Sequence, residues 1–315
     1  LDVIRMAQAD RNRWDAKIML HTIREMEQAF SRLEMFKRRR KVTVFGSART
    51  APGHPLYAVA RDMGAALAAN DYMAITGAGG GIMTATHEGA GLDHSLGFNI
   101  TLPFEQRSNT VVHGTSHDLA FGFFFLRKLF FVKEADALIL CPGGFGTLDE
   151  ALEVLTLVQT GKSPMVPIIL LEQPGGQYWQ AFTQFVRSQL ADSAYIHPED
   201  INLLTPCNSP AEAMQVVLNF YSNYHSSRRV GEQFMLRLNR PLNEQALAQL
   251  DTRFGHICVS GGFVQQGMCE QEHDEPELGT LTRLCFDFNE RDRGSLRALI
   301  DFVNQPENLK TPGTA

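Results

Sequence analysis

The sequence predicts an α/β protein. Its centre is a Rossmann-like parallel sheet flanked by helices, with an N-terminal helix before it and a small C-terminal α+β domain after it. Three observations carry this. Short β-rich runs alternate with helical stretches from residue 41 to about 222, the order that right-handed βαβ crossovers impose on a sheet covered on both faces. Three of those runs end in glycine-rich turns, where an open parallel sheet binds ligands. After Tyr224-His225-Ser226-Ser227-Arg228-Arg229 the texture changes, and the pattern becomes that of a smaller layer.

Residues 1–40 contain neither Pro nor Gly. Met19, Ile23, Met26, Phe30 and Leu33 step by four, three, four and three, which places them on one helix face. Such a helix covers the next domain or pairs with a second copy of itself. From 41 to 225 the expected order is a strand at 41–45, a helix at 57–70 and a strand at 72–76. A helix starting near Ile82, a strand at 96–102, a helix at 121–134 and a strand at 137–141 follow. A strand at 166–171 and helices at 178–191 and 211–221 complete the unit. Residues 226–229 read as a linker into an accessory domain, 226–306, with strands at 234–238, 256–260 and 281–288 and helices at 243–254 and 295–304. The stretch 265–279 reads as an exposed loop whose acids are solvated or line a cation or partner site, and 307–315 as a disordered tail.

Composition narrows the function classes. With 315 residues, 44% hydrophobic and 20% charged, the chain can bury a sizeable core. A formal net charge of −6 argues against a nucleic-acid partner. The one basic run, Lys37-Arg38-Arg39-Arg40, reads as a solvated helix end complementing the dipole. Five cysteines (Cys141, Cys207, Cys258, Cys269 and Cys285) include no CxxC pair, so reduced thiols in a cytoplasmic protein are expected rather than disulfides or a zinc site. No secretory pattern is present, and the longest apolar stretch, 121–132, is interrupted by Arg127 and Lys128, so no membrane partner is expected. The chain opens on Leu1 rather than Met, which leaves room for a longer native N-terminus.

The glycine-rich turns point to a phosphate-bearing ligand. Glycine lets the backbone approach an anion, and the following helix offers free N–H groups and a positive dipole end. None of the turns has the Gly-Lys-Ser/Thr ending of a P-loop. Gly77-x-Gly79-x-x-Ile82 lacks the third glycine of the dinucleotide fingerprint. The most specific turn is Pro142-Gly143-Gly144-Phe145-Gly146-Thr147. Glu150 follows three residues later, in the first turn of the next helix, where Thr147 and Glu150 also suit a capping box. Upstream, Arg127 and Lys128 stand in an otherwise apolar helix and must find a partner or reach solvent.

These residues carry a resemblance. Pro142 to Glu150, with Arg127-Lys128 about fifteen residues earlier, is similar to the PGGxGTxxE signature and Arg-Lys pair of the LOG family of nucleoside 5′-monophosphate phosphoribohydrolases. Phe45-Gly46-Ser47-Ala48-Arg49, Thr76-Gly77-Ala78-Gly79-Gly80-Gly81-Ile82-Met83 and Asn99-Ile100-Thr101-Leu102-Pro103-Phe104-Glu105-Gln106 resemble a bacterial branch of that family. The pattern departs from the family's at Ala78, Gly80 and Thr84. The resemblance covers roughly 41–222. It implies hydrolysis of the N-glycosidic bond of an AMP-like or cytokinin nucleotide to free base and ribose 5-phosphate, with no metal and no cofactor. It assigns Glu150 to stabilising the charge that builds on the ribose and to orienting or deprotonating water. Arg127 would hold the phosphate or ribose. Gly143, Gly144, Gly146 and Thr147 would bind phosphate, and Gly46, Ser47, Gly79, Gly81, Met83 and Lys128 would complete the nucleotide site. Pairing through 121–132 into a homodimer, or a multiple of one, is also implied. His113 and His117 read as structural. Two other functions bear on these residues. A non-catalytic nucleotide or cofactor carrier of the same fold would not require both Arg127 and Glu150, and a pyridoxal-phosphate decarboxylase would need a Schiff-base lysine in a pocket.

Overall fold

The computed structural model describes residues 4, 5, 9, 12–101, 107–269, 272 and 274–311. Parts of the sequence expectations, namely Leu102 to Gln106, Glu270 and the tail from residue 312, lie outside the described residues.

Helix α1 (Arg13–Leu33) begins where the Asn12 side chain accepts the Asp15 N–H. It lies against the sheet's edge. Arg32 donates to the Asp118 carbonyl, Glu25 accepts the Gly122 N–H, and the Phe30 ring meets Phe130 edge-on at 5.2 Å. Of the five residues expected on its buried face only Leu33 is fully buried, while Ile23 and Phe30 stay exposed. The helix therefore covers the core mainly through its last turns.

The parallel sheet has seven strands in the order β4-β3-β2-β1-β5-β6-β7: β1 (Lys41–Phe45), β2 (Met73–Thr76), β3 (Ser95–Ile100), β4 (Asp118–Phe121), β5 (Ala137–Leu140), β6 (Ile168–Leu171) and β7 (Leu204–Cys207). Helices α2 (Pro55–Ala69), α3 (Ile82–Ala90), α4 (Phe124–Lys133), α5 (Phe145–Gln159), α6 (Tyr178–Phe185) and α7 (Pro210–Phe220) connect them. Alternate strand residues feed two cores. Val42, Val44, Ala74 and Ile139 pack under α2, α3 and α7, while Phe45, Ile75, Leu96 and Leu138 pack under α1, α4 and α5. Two strands were not expected. The phenylalanine-rich run taken as one helix from 121 is β4, a break at Gly122 and then α4, since a run apolar on all sides has no single period. Strand β7 lies at the sheet's edge and contains Pro206, which an edge strand tolerates.

Strands β8 (Tyr224–Val230), β9 (Gln233–Leu238), β10 (Val264–Gln266) and β11 (Thr282–Phe286) form an antiparallel sheet in the order β10-β11-β9-β8, with helices α8 (Glu244–Phe254) and α9 (Arg293–Val303). The expected linker at 226–229 is instead the body of β8, so a boundary at 225/226 cuts a strand. Its Ser and Arg side chains are compatible with a strand only partly covered. The expected strand at 256–260 is a 3₁₀ turn, Gly255–Ile257, followed by one bridge from Cys258 to Phe288. Residues 307–311, expected in a disordered tail, are tied down. Leu309 bridges Leu242, and Lys310 donates its N–H to the Pro241 carbonyl. Nor is the 265–279 stretch a solvated loop: β10 ends in it, and Glu272 is buried between Arg237 and Arg283.

The two layers share one core. Phe220, Tyr224, Leu236, Leu299 and Phe302 belong to the same apolar cluster as Leu126 and Leu138. The Asn304 side chain bonds the Phe220 carbonyl and the N–H groups of Asn223 and Tyr224. No described helix is long and apolar enough to cross a membrane.

Candidate active site

The chain runs outward from β1 through β2 and β3 to β4, then returns to add β5 on the other side of β1. Beyond the carboxyl ends of β1 and β5 the connections diverge, which opens the crevice where such sheets bind ligands. A cavity of about 790 Å³ lies there, reached by Gly46 and Ser47 after β1, Gly77 after β2, and Gly143 to Glu150 after β5.

Backbone bonds lock the first and third turns together. The Cys141 N–H donates to the Phe45 carbonyl at 2.8 Å, and the Ser47 N–H to the Pro142 carbonyl at 3.2 Å. Gly143 has no room for a side chain, because a Cβ there would lie 2.1 Å from Thr147 Oγ1 and 3.1 Å from Ser47 N. Its carbonyl accepts the Tyr178 hydroxyl at 2.7 Å, which brings α6 to the rim. Gly144 is the N-cap of α5 and offers no side-chain cap, so the positive end of that helix is left to the cavity its first residues line. The capping box that Thr147 and Glu150 also suit is not formed. Helix α5 starts at Phe145, so Thr147 is its third residue and Glu150 stands one turn further in than expected.

Glu150 is only 6% exposed, and its Oε2 has no hydrogen-bond partner in the protein. Burial raises its pKa to about 7; Lys128 and Arg127 pull it back, while Glu153 and Asp149 push it further up. Arg127, from α4, lines the same cavity. Burial lowers its pKa, the Glu150 charge opposes this, and its Nε is also without a partner. Its guanidinium carbon sits 5.0 Å from the Phe124 ring centre and 5.5 Å from that of Phe131. An acid poised to exchange protons at neutral pH and a cation with unused donors thus share one crevice. That pairing can bind an anion and move a proton on or off water.

Of the residues expected in the site, Gly46, Ser47, Met83, Arg127, Gly143, Gly144, Gly146, Thr147 and Glu150 line the cavity. Gly79, Gly81 and Lys128 are not among its lining residues. Lys128 turns to α5, where its ammonium lies 2.7 Å from Asp149, itself a lining residue, and 2.7 Å from Glu153, and it acts on Glu150 through its charge. Gly81 shapes the wall from behind. At φ +61° it caps α3, and a Cβ there would lie 2.3 Å from the Ser47 carbonyl. The expected site leaves out Phe124, Phe131 and Tyr178, and holds Phe45, Arg49 and Phe145 only as motif positions without a role. Phe124 and Phe131 were findable, since they fall three before and four after Arg127 and share its helix face. Phe145, 93% exposed at the mouth, occupies the variable place of the glycine turn, and Tyr178 carries no local signal. His117 hydrogen-bonds the Ser95 carbonyl and packs on Phe36, away from the cavity. No group of three or more His, Cys, Asp or Glu among the described residues could hold a metal.

The family model described as "Possible lysine decarboxylase" matches residues 80–217. "Probable cytokinin riboside 5'-monophosphate phosphoribohydrolase LOGL3" of Oryza sativa subsp. japonica is 33% identical over 99 residues, 31% of this chain and 44% of the relative. Cytokinin riboside 5'-monophosphate phosphoribohydrolase LOG1 of Arabidopsis thaliana is 33% identical over 89 residues, covering 28% and 40%. Over these stretches the chain is similar to LOG-named proteins. It spans under half the length of those LOG relatives. Among solved structures, TM1055 is similar at 23% identity and a TM-score of 0.43, over 56% of this chain and 98% of that one. The molybdenum cofactor binding protein of Rippkaea orientalis follows at 19% and 0.42, over 58% and 98%. No lysine is among the described residues that line the cavity, and Lys128 is paired with Asp149 and Glu153.

Proposed function

We propose that the protein hydrolyses the N-glycosidic bond of a nucleoside 5′-monophosphate, giving free base and ribose 5-phosphate. The observation that carries this is the meeting of a buried, unpartnered Glu150 with Arg127 above a glycine cradle at the end of the central strands. In this reading the uncapped start of α5, with Gly143, Gly144, Gly146 and Thr147, takes the phosphate, and Arg127 orients the phosphate or ribose. As the bond to the base stretches, positive charge grows on the ribose ring, and the Glu150 carboxylate stabilises it. The bonding electron pair leaves with the base. Water adds to the ribose carbon and gives its proton to Glu150, which later releases it to the departing base or to solvent. The apolar walls, Phe45, Phe124 and Phe131, raise the strength of each of these charge interactions.

The antiparallel layer contributes none of the residues lining the cavity, and we assign it an accessory role. We also propose that two copies pair through α4 and α5, where Phe124, Phe125, Leu129 and Leu152 are exposed together; light scattering at micromolar concentration should find a dimer or a multiple of one. The enzymatic reading is tested by incubating the protein with a panel of nucleoside monophosphates, including AMP and a cytokinin nucleotide, in EDTA, and following free base and ribose 5-phosphate. Stoichiometric release of both is expected. Binding of AMP without any base release from any member of the panel would make the protein a carrier instead.

A further inference from the structure

Behind the cavity wall, Ala78 has a left-handed backbone at φ +57° and is completely buried. An L-residue pays for that conformation unless its surroundings fix it. Here both sides of the residue are held. The Ala78 N–H donates to Thr76 Oγ1 at 3.0 Å, and its carbonyl accepts the Asn109 N–H at 2.7 Å. Both holders are in turn gripped by one side chain. His87 on α3 is fully buried, with Nε2 3.1 Å from Thr76 Oγ1 and Nδ1 3.1 Å from Asn109 Nδ2. Nε2 also lies 3.2 Å from the Leu96 carbonyl, which can only accept. The network therefore assigns the proton to Nε2 and leaves Nδ1 bare to accept from Asn109, a neutral imidazole with each nitrogen committed.

What this fixes is the wall of the site. From Ala78 the turn runs through Gly79, whose carbonyl accepts the Thr84 hydroxyl at 2.9 Å, to Gly81, pressed on the Ser47 carbonyl. Ser47 also accepts the Ile82 N–H at 3.1 Å. Gly77 precedes Ala78 and leaves space for its neighbours: a Cβ there would stand 3.0 Å from Met83 Sδ and 3.8 Å from Arg127 Nη1.

We infer that His87 is a positioning residue of the nucleotide site, holding through Thr76 and Asn109 the turn at Ala78 that sets Gly77, Met83 and Ser47 around the ligand. The role in ligand binding rests on the function proposed above; the role in holding the turn does not. Thr76→Val keeps the side chain's shape but leaves the Ala78 N–H unbonded, and His87→Phe fills the imidazole's space without its two bonds. Hydrogen exchange read by mass spectrometry on full-length protein should show faster exchange across residues 77–84 in both variants, with distant strands unchanged. The KM for AMP should rise roughly ten- to a hundred-fold, more than kcat falls, because the wall and not the acid is displaced. Adding Ala78→Gly to Thr76→Val should recover much of the affinity, since glycine takes the left-handed turn without strain. Unchanged exchange at 77–84 overturns the inference. So does a lower melting temperature with KM and calorimetric AMP affinity unmoved, or a failure of Ala78→Gly to rescue, for His87 would then be an ordinary core histidine. An unaltered protein that binds AMP but never releases adenine removes only the hydrolytic reading, and the exchange and affinity measurements still decide this one.

Discussion

Two buried glutamates in this chain have opposite surroundings. Glu150 in the parallel layer is buried with one carboxylate oxygen unbonded, and its pKa rises to about 7. Glu272 in the antiparallel layer is more deeply buried, yet both its oxygens are taken. Arg237 reaches Oε1 at 2.6 Å and Arg283 reaches Oε2 at 2.8 Å. Burial alone would push Glu272 up as well, but those bonds and charges outweigh it and bring the pKa down to about 2. Completed pairing makes a buried acid structural, and an incomplete shell leaves it available for chemistry.

The largest effect that separates the two is expected at Glu272→Gln. It takes the carboxylate from buried Arg283 and leaves buried Arg237 with Glu275 alone, and breaking a buried pair in this way costs about 3–5 kcal/mol. Chemical unfolding should show the loss while the fraction that stays folded retains its turnover. A lowered acid stabilises above its ordinary value of 4.5, and that stability disappears as pH falls towards 2, so the gap between wild type and variant should close in strong acid. Lost turnover in the folded fraction would mean that the antiparallel layer serves the site directly.

Glu150→Gln should do the reverse. Turnover falls at least ~100-fold while AMP binding persists. The variant should also be the more stable protein. With the pKa raised, the folded state keeps a proton that the unfolded chain has already lost between pH 4.5 and about 7, so stability drains away across that window as pH rises. Above pH 7 the glutamine should gain about 3 kcal/mol over wild type, and below 4.5 nothing. Melting temperatures compared at pH 5 and pH 8 check this; a variant less stable at both would show that Glu150 has a partner after all.

The same contrast explains what was legible in the sequence. Strands β1, β2, β5 and β6 were visible because each is apolar, short and closed by a turn or a helix. The turn holding Gly143 and Gly144, and the pair Arg127 and Glu150, were visible because their chemistry is local in sequence. Glu272 was not: nothing near it announces that Arg237 and Arg283, neighbours across β9 and β11, will close over it, so an acidic stretch passed for a solvated loop. Strand β8 was hidden by its Ser and Arg content, which imitates a linker. Lys128 was placed in the site because it sits beside Arg127, but adjacent helix residues point about 100° apart, and its partners are on the next helix.

Arg127→Ala should cost less than Glu150→Gln in turnover while raising the KM for AMP, since it removes a group that positions the nucleotide rather than one that meets the developing charge. An unchanged KM would take Arg127 out of the binding role.

The smallest expected effect falls on Lys128, and it tests whether the environment of Glu150 is tuned from outside the cavity. Lys128 is the strongest of the charges that lower the Glu150 pKa, although its ammonium is bonded to Asp149 and Glu153 and does not line the cavity. Lys128→Met keeps the length of the stem and deletes the charge. It also leaves Asp149 and Glu153, which both raise the Glu150 pKa, without their counterion. Both changes act in one direction: Glu150 should hold its proton to higher pH. If the carboxylate is the working form, the wild-type rate climbs with pH through about 7 and levels off above it. The variant should then show the same plateau with its midpoint moved to more alkaline pH, so that the deficit is clear at pH 6.5 and small at pH 9. Added salt should shrink the displacement, because the pair is partly open to solvent. A plateau lowered at every pH, with the midpoint in place, would instead make Lys128 a brace for α5 whose charge never reaches the acid.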